Sequence, residues 1–342
     1  MGITLKQIAE MAGTTKSTVD KVLHDRPGVS EKKRQEIKEL LRKYGYEANP
    51  LAKALNYQKR KMKVAVVLPQ ISAAADIKRG MDVVRQDFMS FNIQLDYHEL
   101  GASDAEGQVR ALRAIEEEEP AGLIILPVRS EKVTDAVRRV VRKKIPVVIV
   151  NSEIPVEGVL CYVGQDMIRS GAAAARMLQL LTQGKAEIGI ISCKNMIGHE
   201  QREQSFIQTV NRCYPELHIQ DIKYIEETPE DAYGKTLEVF AEHPEIDALF
   251  ITCGCVEEIC RAVRASGRGG DEIKQPAIVC YEKYAEIIDL VKKGEIACTL
   301  TGGLSKQGRI AMRVMFEYLV YDQVPSKKAY YFKNRIIIKE NS

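Results

Sequence analysis

From Val64 onward, short apolar runs alternate with longer segments whose apolar positions recur at helical spacing. The runs Val64–Leu68, Ile93–His98, Gly122–Leu126 and Pro146–Val150 read as strands, separated by helices near Ile77–Phe91, Ala105–Glu118 and Lys132–Arg142. After Leu160-Cys161-Tyr162-Val163-Gly164 the alternation starts again. Strands are expected at Ile188–Ser192, within Ile219–Ile225, at Asp247–Thr252 and at Ala277–Tyr281. The helices between and around them fall near Ser170–Leu181, Gln201–Arg212, Asp231–Glu242, Val256–Ser266 and Tyr284–Lys292. Strands that are apolar along their whole length belong in sheets covered on both faces, so each half of this region predicts a doubly wound parallel sheet. Ligands in such sheets bind beyond the carboxyl ends of the strands, and two facing lobes create a cleft there.

The start of the chain follows a different rhythm. Thr4 with Gln7 three residues later forms a capping-box signal, Ile8 and Met11 mark one apolar face, and Gly13 supplies a tight turn. Thr14 or Thr15 can cap a second helix whose Val19, Val22 and Leu23 face inward, leaving Lys16, Ser17, Asp20 and Lys21 outside. A third helix is expected over Glu31–Lys43, and Asn49-Pro50 marks the start of another short helix, which is marginal on its own. This is a helix-turn-helix with a polar reading face.

Charge sharpens that division. Residues 1–61 carry 14 Lys or Arg against 7 Asp or Glu, whereas the remainder carries 36 against 40. The basic character therefore sits on the helix-turn-helix, as expected of a DNA footprint. No apolar run reaches membrane-spanning length and no secretion signal opens the chain, so a cytoplasmic location is expected. All eight cysteines lie after residue 160, many in strand-like runs, and read as small buried hydrophobes rather than disulfides.

The helix pair, the turn Arg26-Pro27-Gly28-Val29-Ser30 and the run Tyr44-Gly45-Tyr46-Glu47-Ala48-Asn49-Pro50-Leu51-Ala52-Lys53-Ala54-Leu55 together resemble the lactose-repressor (LacI) family of bacterial transcription regulators. The rest of the chain resembles the periplasmic-binding-protein-like effector domain of that family, in its ribose-binding-like branch. The residues that carry this are Ile145–Glu153, Tyr162–Asp166 and Asp247–Ile251, in order and at the right separations. The resemblance implies an α/β protein: a helix-turn-helix domain over 1–48, a hinge helix and linker over 49–61, and a two-lobed effector and dimerisation domain over 62–342. It places the first lobe at about 62–162 and 297–321, and the second at about 163–296 and 322–342.

By the same resemblance, Lys16, Ser17 and Lys21 reach base edges while Thr15 holds phosphate, and Asn49, Ala52 and Leu55 form the hinge contact, with Leu55 as an apolar wedge in the minor groove. Asp20-Lys21 stands where the family more often has Ser-Arg, and lysine cannot offer guanine a planar fork. Asp20 could accept from a cytosine amino group or pair with a nearby lysine, and the intramolecular pairing is the favoured reading. The partners implied are a pseudo-palindromic operator duplex and a second copy of the chain; with no heptad tail, a homodimer is expected rather than a tetramer.

Arg202 matches the family's ligand-binding arginine, able to give a fork of donors to paired hydroxyls or a carboxylate. Asn151, Glu153 and Glu282 follow predicted strands as hydroxyl acceptors, and Cys253 and Thr301 occupy further effector positions. Several positions depart from the family. Ala73-Ala74-Ala75 replaces aromatic residues, Cys253-Gly254 replaces Asn-Asp, and Thr301-Gly302-Gly303 stands where glutamine is usual. The effector is read as a small carbohydrate-like metabolite. A non-sugar metabolite, including a larger or more anionic one, or a protein co-regulator is the alternative. No metal or cofactor is expected: Cys253-Gly254-Cys255 with Cys260 lacks a zinc-ligand spacing, and His199-Glu200 lacks the second histidine of a His-Glu-x-x-His site. No phosphate loop, nucleophile elbow or dinucleotide fingerprint appears, which disfavours an enzyme. An exported solute-binding protein would lack the helix-turn-helix.

Overall fold

The computed structural model describes residues 3–23, 27–44, 62–194, 197–269 and 274–342. The expected hinge residues Asn49, Ala52 and Leu55 lie outside these residues.

At the amino end, α1 (Leu5–Met11) is closed by reciprocal capping: the Gln7 amide donates to Thr4 Oγ1 at 3.3 Å, and the Thr4 amide donates to Gln7 Oε1 at 2.9 Å. Gly13, at φ +56°, ends the helix in a left-handed turn that a side chain would strain, and the Thr14 amide reaches back to the Ala9 carbonyl at 2.9 Å. The next helices are α2 (Lys16–Leu23) and α3 (Glu31–Lys43). Ile8, Ala9, Ala12, Val19, Val22 and Ile37 form the core of this module. Met11 does not join it: it is 44% exposed, and Ala9 and Ala12 carry the inner face with Ile8.

The first large sheet contains β1 (Met62–Pro69), β2 (Ile93–Leu100), β3 (Gly122–Ile125), β4 (Val147–Val150), β5 (Cys161–Gln165) and β11 (Ala329–Phe332). Its order is β11-β5-β4-β3-β1-β2, with every neighbour parallel. The second contains β6 (Ala186–Ser192), β7 (Leu217–Tyr224), β8 (Ala248–Ile251), β9 (Ala277–Tyr281), β10 (Cys298–Thr301) and β12 (Arg335–Ile337), in the order β12-β10-β9-β8-β6-β7. Strands β3, β4, β5 and β8 are buried along their whole length, as their unbroken apolar runs predict. Helices α4 (Ser72–Asp87), α5 (Ala105–Glu118), α6 (Glu131–Arg142) and α12 (Leu304–Tyr321) belong to the first lobe. Helices α7 (Met167–Leu181), α8 (Ile197–Cys213), α9 (Pro229–Glu242), α10 (Val256–Ala265) and α11 (Ala285–Lys293) belong to the second.

The strands near the crossings differ from the expected lobe boundaries. β5 stays in the first sheet through Gln165, β10 belongs to the second sheet rather than the first, and β11 lies in the first sheet rather than the second. The chain thus passes between lobes after β5, between β10 and α12, and between β11 and β12. Direction explains the single antiparallel pair: β10 runs out of the second lobe while β12 runs into it, so β12 must pair antiparallel with β10. β5 and β11 both leave the first lobe and pair parallel.

The returning helix α12 fits against α4 because both carry glycine at the crossing. A Cβ on Gly308 would lie 1.9 Å from the Ile77 carbonyl oxygen, and one on Gly80 would lie 2.0 Å from that of Ser305. Both obstacles are backbone and cannot rotate away. Gly308→Ala is expected to destabilise the chain by at least about 1–3 kcal/mol through overpacking, read as a lower denaturant midpoint at unchanged slope.

Candidate functional site

The carboxyl ends of the two sheets face a cleft of about 920 Å³. One wall is the loop after β1 and the first turn of α4, including Gln70 and Ala73 to Ala75; the opposite wall carries His199, Arg202, Glu227, Cys253 and Glu282. The helix α4 begins earlier than its sequence pattern suggests, so the three alanines form its first turn and face the cleft without stacking surface. Aromatic surface comes instead from Tyr281 and Tyr284 of the second lobe.

Arg202 is the centre of this arrangement. It sits on α8, only 4% exposed, with its guanidinium 3.9 Å from the centre of the Tyr281 ring. Its Nη2 donates to Gln165 Oε1 at 2.7 Å and lies 3.5 Å from Glu282 Oε1. Its Nε–H meets no acceptor among the described residues. A buried guanidinium with an unmet donor is suited to donate to a ligand oxygen. Close packing sets its position, because a Cβ on Gly171 of α7 would fall 2.2 Å from the Arg202 carbonyl oxygen.

Glu282 leaves β9 at φ +76°, a conformation that costs a non-glycine residue energy and recurs here at Asn151, Glu227 and Cys255, all around the same cleft. Thr301 Oγ1 donates to Glu282 Oε2 at 3.1 Å. Burial raises the Glu282 carboxyl above the ordinary 4.5, outweighing the lowering by Arg202 and Thr301. A folded value above the unfolded one means that this group's contribution to stability is complete below 4.5 and is lost as pH rises through the folded value. For a ligand hydroxyl that donates to Glu282 the sign would be opposite, since a hydroxyl donates best to the ionised carboxylate. Effector affinity is therefore expected to rise with pH across that interval in calorimetric titrations, and Glu282→Gln to flatten the slope.

The sequence-derived effector residues divide. Asn151, Arg202, Cys253 and Glu282 all line the cleft. Asn151 Nδ2 donates to Gln307 Oε1 at 3.2 Å, and the buried Cys253 thiol, raised by desolvation, points to the Ile191 carbonyl at 3.6 Å. Glu153 is not in the cleft: it is exposed and accepts from Tyr331 Oη on β11 at 3.0 Å, because the left-handed turn at Asn151 and the buried Ser152 direct it outward. Thr301 is also behind the wall, where it orients Glu282 and accepts from the Gly303 amide at 3.1 Å.

Two site features were not singled out in the sequence. Gln165, 2% exposed, joins Arg202 to Asn334, so the cleft arginine is hydrogen-bonded directly to the interlobe crossings. Arg129 of the first lobe also reaches Glu200 of the second at 3.1 Å. The cleft's charges are Asp82, Glu99, Glu226, Glu227, Glu257, Glu258, Glu282 and Glu286 against Lys78, Arg79 and Arg202. Lys78 is already paired with Glu99 at 2.8 Å, and Arg79 with Asp76. That excess of carboxylates opposes an anionic ligand.

On the helix-turn-helix, Lys16, Ser17 and Lys21 project into solvent from α2, while Asp20 is half-buried. Thr15 is used locally: its Oγ1 accepts from the Thr18 amide at 3.2 Å and caps α2. Lys33 Nζ donates to the Ala12 carbonyl, fixing α3 against the end of α1.

A polar-faced helix-turn-helix followed by a two-lobed α/β domain with an interlobe cleft defines the class: a DNA-binding regulator with a ligand-binding module. Residues 4–49 match the bacterial regulatory proteins of the lacI family, and residues 64–323 match the periplasmic binding protein domain. The chain belongs to the LacI family of transcriptional regulators. It is 24% identical over 267 residues to the sucrose operon repressor of Staphylococcus xylosus, a match covering 76% of each chain. It is 27% identical over 197 residues to the HTH-type transcriptional regulator RegA of Clostridium saccharobutylicum, covering 57% of this chain and 56% of RegA. Among solved structures, GanP, a glucose-galactose binding protein from Geobacillus stearothermophilus, is similar in fold, with a TM-score of 0.73 and 20% identity over 82% of this chain and 99% of that one. Among the described residues, no helix is long and apolar enough to cross a membrane.

Proposed function

We propose that this regulator is a repressor controlled by a small polyhydroxylated metabolite bound between its lobes. The observation that carries the reading is the buried Arg202, with its Nε–H unmet, beside the carboxylate Glu282 in a cleft that also presents Asn151. A guanidinium donor next to a carboxylate acceptor suits vicinal hydroxyls, each of which can accept from one group and donate to the other. The excess of carboxylates favours a neutral polyol or an amino sugar over a sugar acid or sugar phosphate. The repressor of sucrose genes and the glucose-galactose binding protein named above agree with a carbohydrate-like ligand.

On this reading the protein acts as a homodimer, with two recognition helices in successive major grooves of a pseudo-palindromic operator. Lys16, Ser17 and Lys21 read bases, Thr15 adds a phosphate contact beyond its capping role, and Asn49, Ala52 and Leu55 form the hinge contact. A ligand changes operator affinity only by its differential affinity for the two lobe arrangements. Gln165 supplies a route, because an effector that engages Arg202 also acts on the hydrogen bonds at the crossings. Leu55→Ala is expected to weaken specific operator binding with the dimer intact, checked by fluorescence anisotropy beside sedimentation; unchanged affinity would remove the wedge.

The test of the effector class is thermal unfolding of the full chain against sugars, amino sugars, polyols, sugar acids and sugar phosphates, since a ligand selective for the folded state raises its apparent stability. A saturable rise is expected with a neutral or amine-bearing polyol. A rise with phosphorylated sugars alone would overturn the assignment of ligand charge, and no rise with any compound would remove the carbohydrate reading.

A further inference from the structure

Three segments far apart in sequence bring a thiol, an imidazole and a carboxylate together on the second lobe. Cys193 follows β6, His199 lies in the first turns of α8, and Glu227 follows β7. One ligand atom from each falls within 4.8 Å of the others. Cys193 Sγ and His199 Nδ1 are 2.8 Å apart, and Cys193 is only 1% exposed. Glu227 is held in place because its Oε1 accepts from the Gly254 amide at 2.7 Å, and His199 and Glu227 both face the cleft.

We infer that Cys193, His199 and Glu227 form a binding site for a borderline-soft divalent cation of the zinc type, with its remaining coordination position open to the effector cleft. The donor set argues for this class. Sulfur and imidazole nitrogen select zinc over magnesium or calcium, which take oxygen ligands. A thiolate and a carboxylate together balance the two positive charges, so the loaded site is itself neutral, and loading exchanges the thiol proton and the lone Glu227 charge for that neutral assembly. Three protein ligands with a fourth position left open is the arrangement of zinc sites that engage a small molecule rather than only brace a fold. Tetrahedral zinc bonded to sulfur and nitrogen holds those atoms about 3.6 Å apart. The present 2.8 Å contact is that of a thiol hydrogen-bonded to a ring nitrogen, and loading needs a separation of less than an ångström with release of the thiol proton. The backbone donor to Glu227 supplies the outer hydrogen bond that commonly orients a ligating carboxylate. The site sits in the same wall as Arg202 but does not depend on what the effector is.

The test uses the full-length protein, freed of metal with a chelator and titrated with cobalt(II), whose thiolate complexes absorb in the near ultraviolet, and separately with zinc(II) by calorimetry. One cation per chain is expected, with a thiolate-to-cobalt band. Cys193→Ser is expected to abolish the band, and both Cys193→Ser and Glu227→Gln to weaken zinc binding on the order of 100-fold, at least as much as the loss of an outer-shell partner. Cys213→Ser, which alters an exposed cysteine elsewhere, is expected to leave both readings unchanged. Circular dichroism of the metal-free variants reports folding independently. A folded wild type that shows no thiolate band, or a band that survives Cys193→Ser, would overturn the site. Because neither operator nor sugar enters the titration, failure here is distinct from failure of the carbohydrate reading.

Discussion

Arg202→Ala is expected to abolish the response to effector while leaving operator binding in place. On the proposed reading the guanidinium would give the ligand charge-assisted hydrogen bonds, each worth about 1.5–3 kcal/mol, so losing the fork is expected to weaken effector affinity on the order of 100-fold or more. The substitution also strips Glu282 of its cationic neighbour and leaves Gln165 Oε1 without the donor at 2.7 Å. Removing one member of a buried pair costs about 3–5 kcal/mol when the other must stay charged. Burial already holds the Glu282 carboxyl high, so it can escape by taking up a proton, and the loss falls toward the low end of that range. The double variant Arg202→Ala with Glu282→Gln is accordingly expected to regain stability without regaining effector binding. Calorimetry with the identified ligand and denaturant unfolding separate the two effects. A full effector response in Arg202→Ala would place the ligand elsewhere.

The second large effect is expected at the reading helix. Lys16 and Ser17 are exposed at the start of α2 and contribute nothing to the core of Ile8, Val19, Val22 and Ile37. A side chain that reads a base edge is worth about 1–3 kcal/mol of discrimination, and in a two-fold dimer each change is made twice. Lys16→Ala combined with Ser17→Ala is therefore expected to lower specific operator affinity on the order of 1,000-fold or more. Binding to unrelated duplex is expected to fall much less, and thermal unfolding to stay within a degree or two of the parent, as for surface substitutions generally. Parallel binding curves on operator and scrambled duplex at one salt concentration measure this. Equal losses on both duplexes would reassign these residues to phosphate contact.

The two sheets were legible in the sequence because their strands are buried on both faces, and runs such as Val147–Val150 and Ala248–Ile251 contain no polar interruption. Their crossings were not. β10, β11 and β12 are three or four residues long and are sorted between sheets by direction and pairing, which no local pattern records. In the cleft, Asn151, Arg202 and Glu282 were accessible through resemblance and through their places after strands or on a helix. Glu153 was misplaced because Asn151, two residues before it, takes a left-handed conformation that no strand pattern records, and Glu153 ends exposed against Tyr331. Gln165 stood out only as part of the Tyr162–Asp166 resemblance and not as a site residue, since its partners Arg202 and Asn334 are 37 and 169 positions away. Nor were Cys193, His199 and Glu227 legible as a group, since their spacing fits no zinc motif and their proximity arises only when β6 and β7 lie side by side. Met11 shows the converse: its apolar character fitted a helical stripe, but Ala9 and Ala12 are the buried residues beside Ile8, while Met11 stays exposed.

One molecule in the cleft is expected to change affinity for DNA at the other end of the chain. This is tested most directly by measuring operator affinity at increasing concentrations of the ligand that raises thermal stability, in the parent protein and in Gln165→Leu. Operator affinity is expected to change and then saturate at the concentrations that saturate the thermal shift, with a coupling of about 1–3 kcal/mol, and Gln165→Leu is expected to bind ligand with much of that coupling lost. An operator affinity that stays constant while the cleft fills would contradict that coupling.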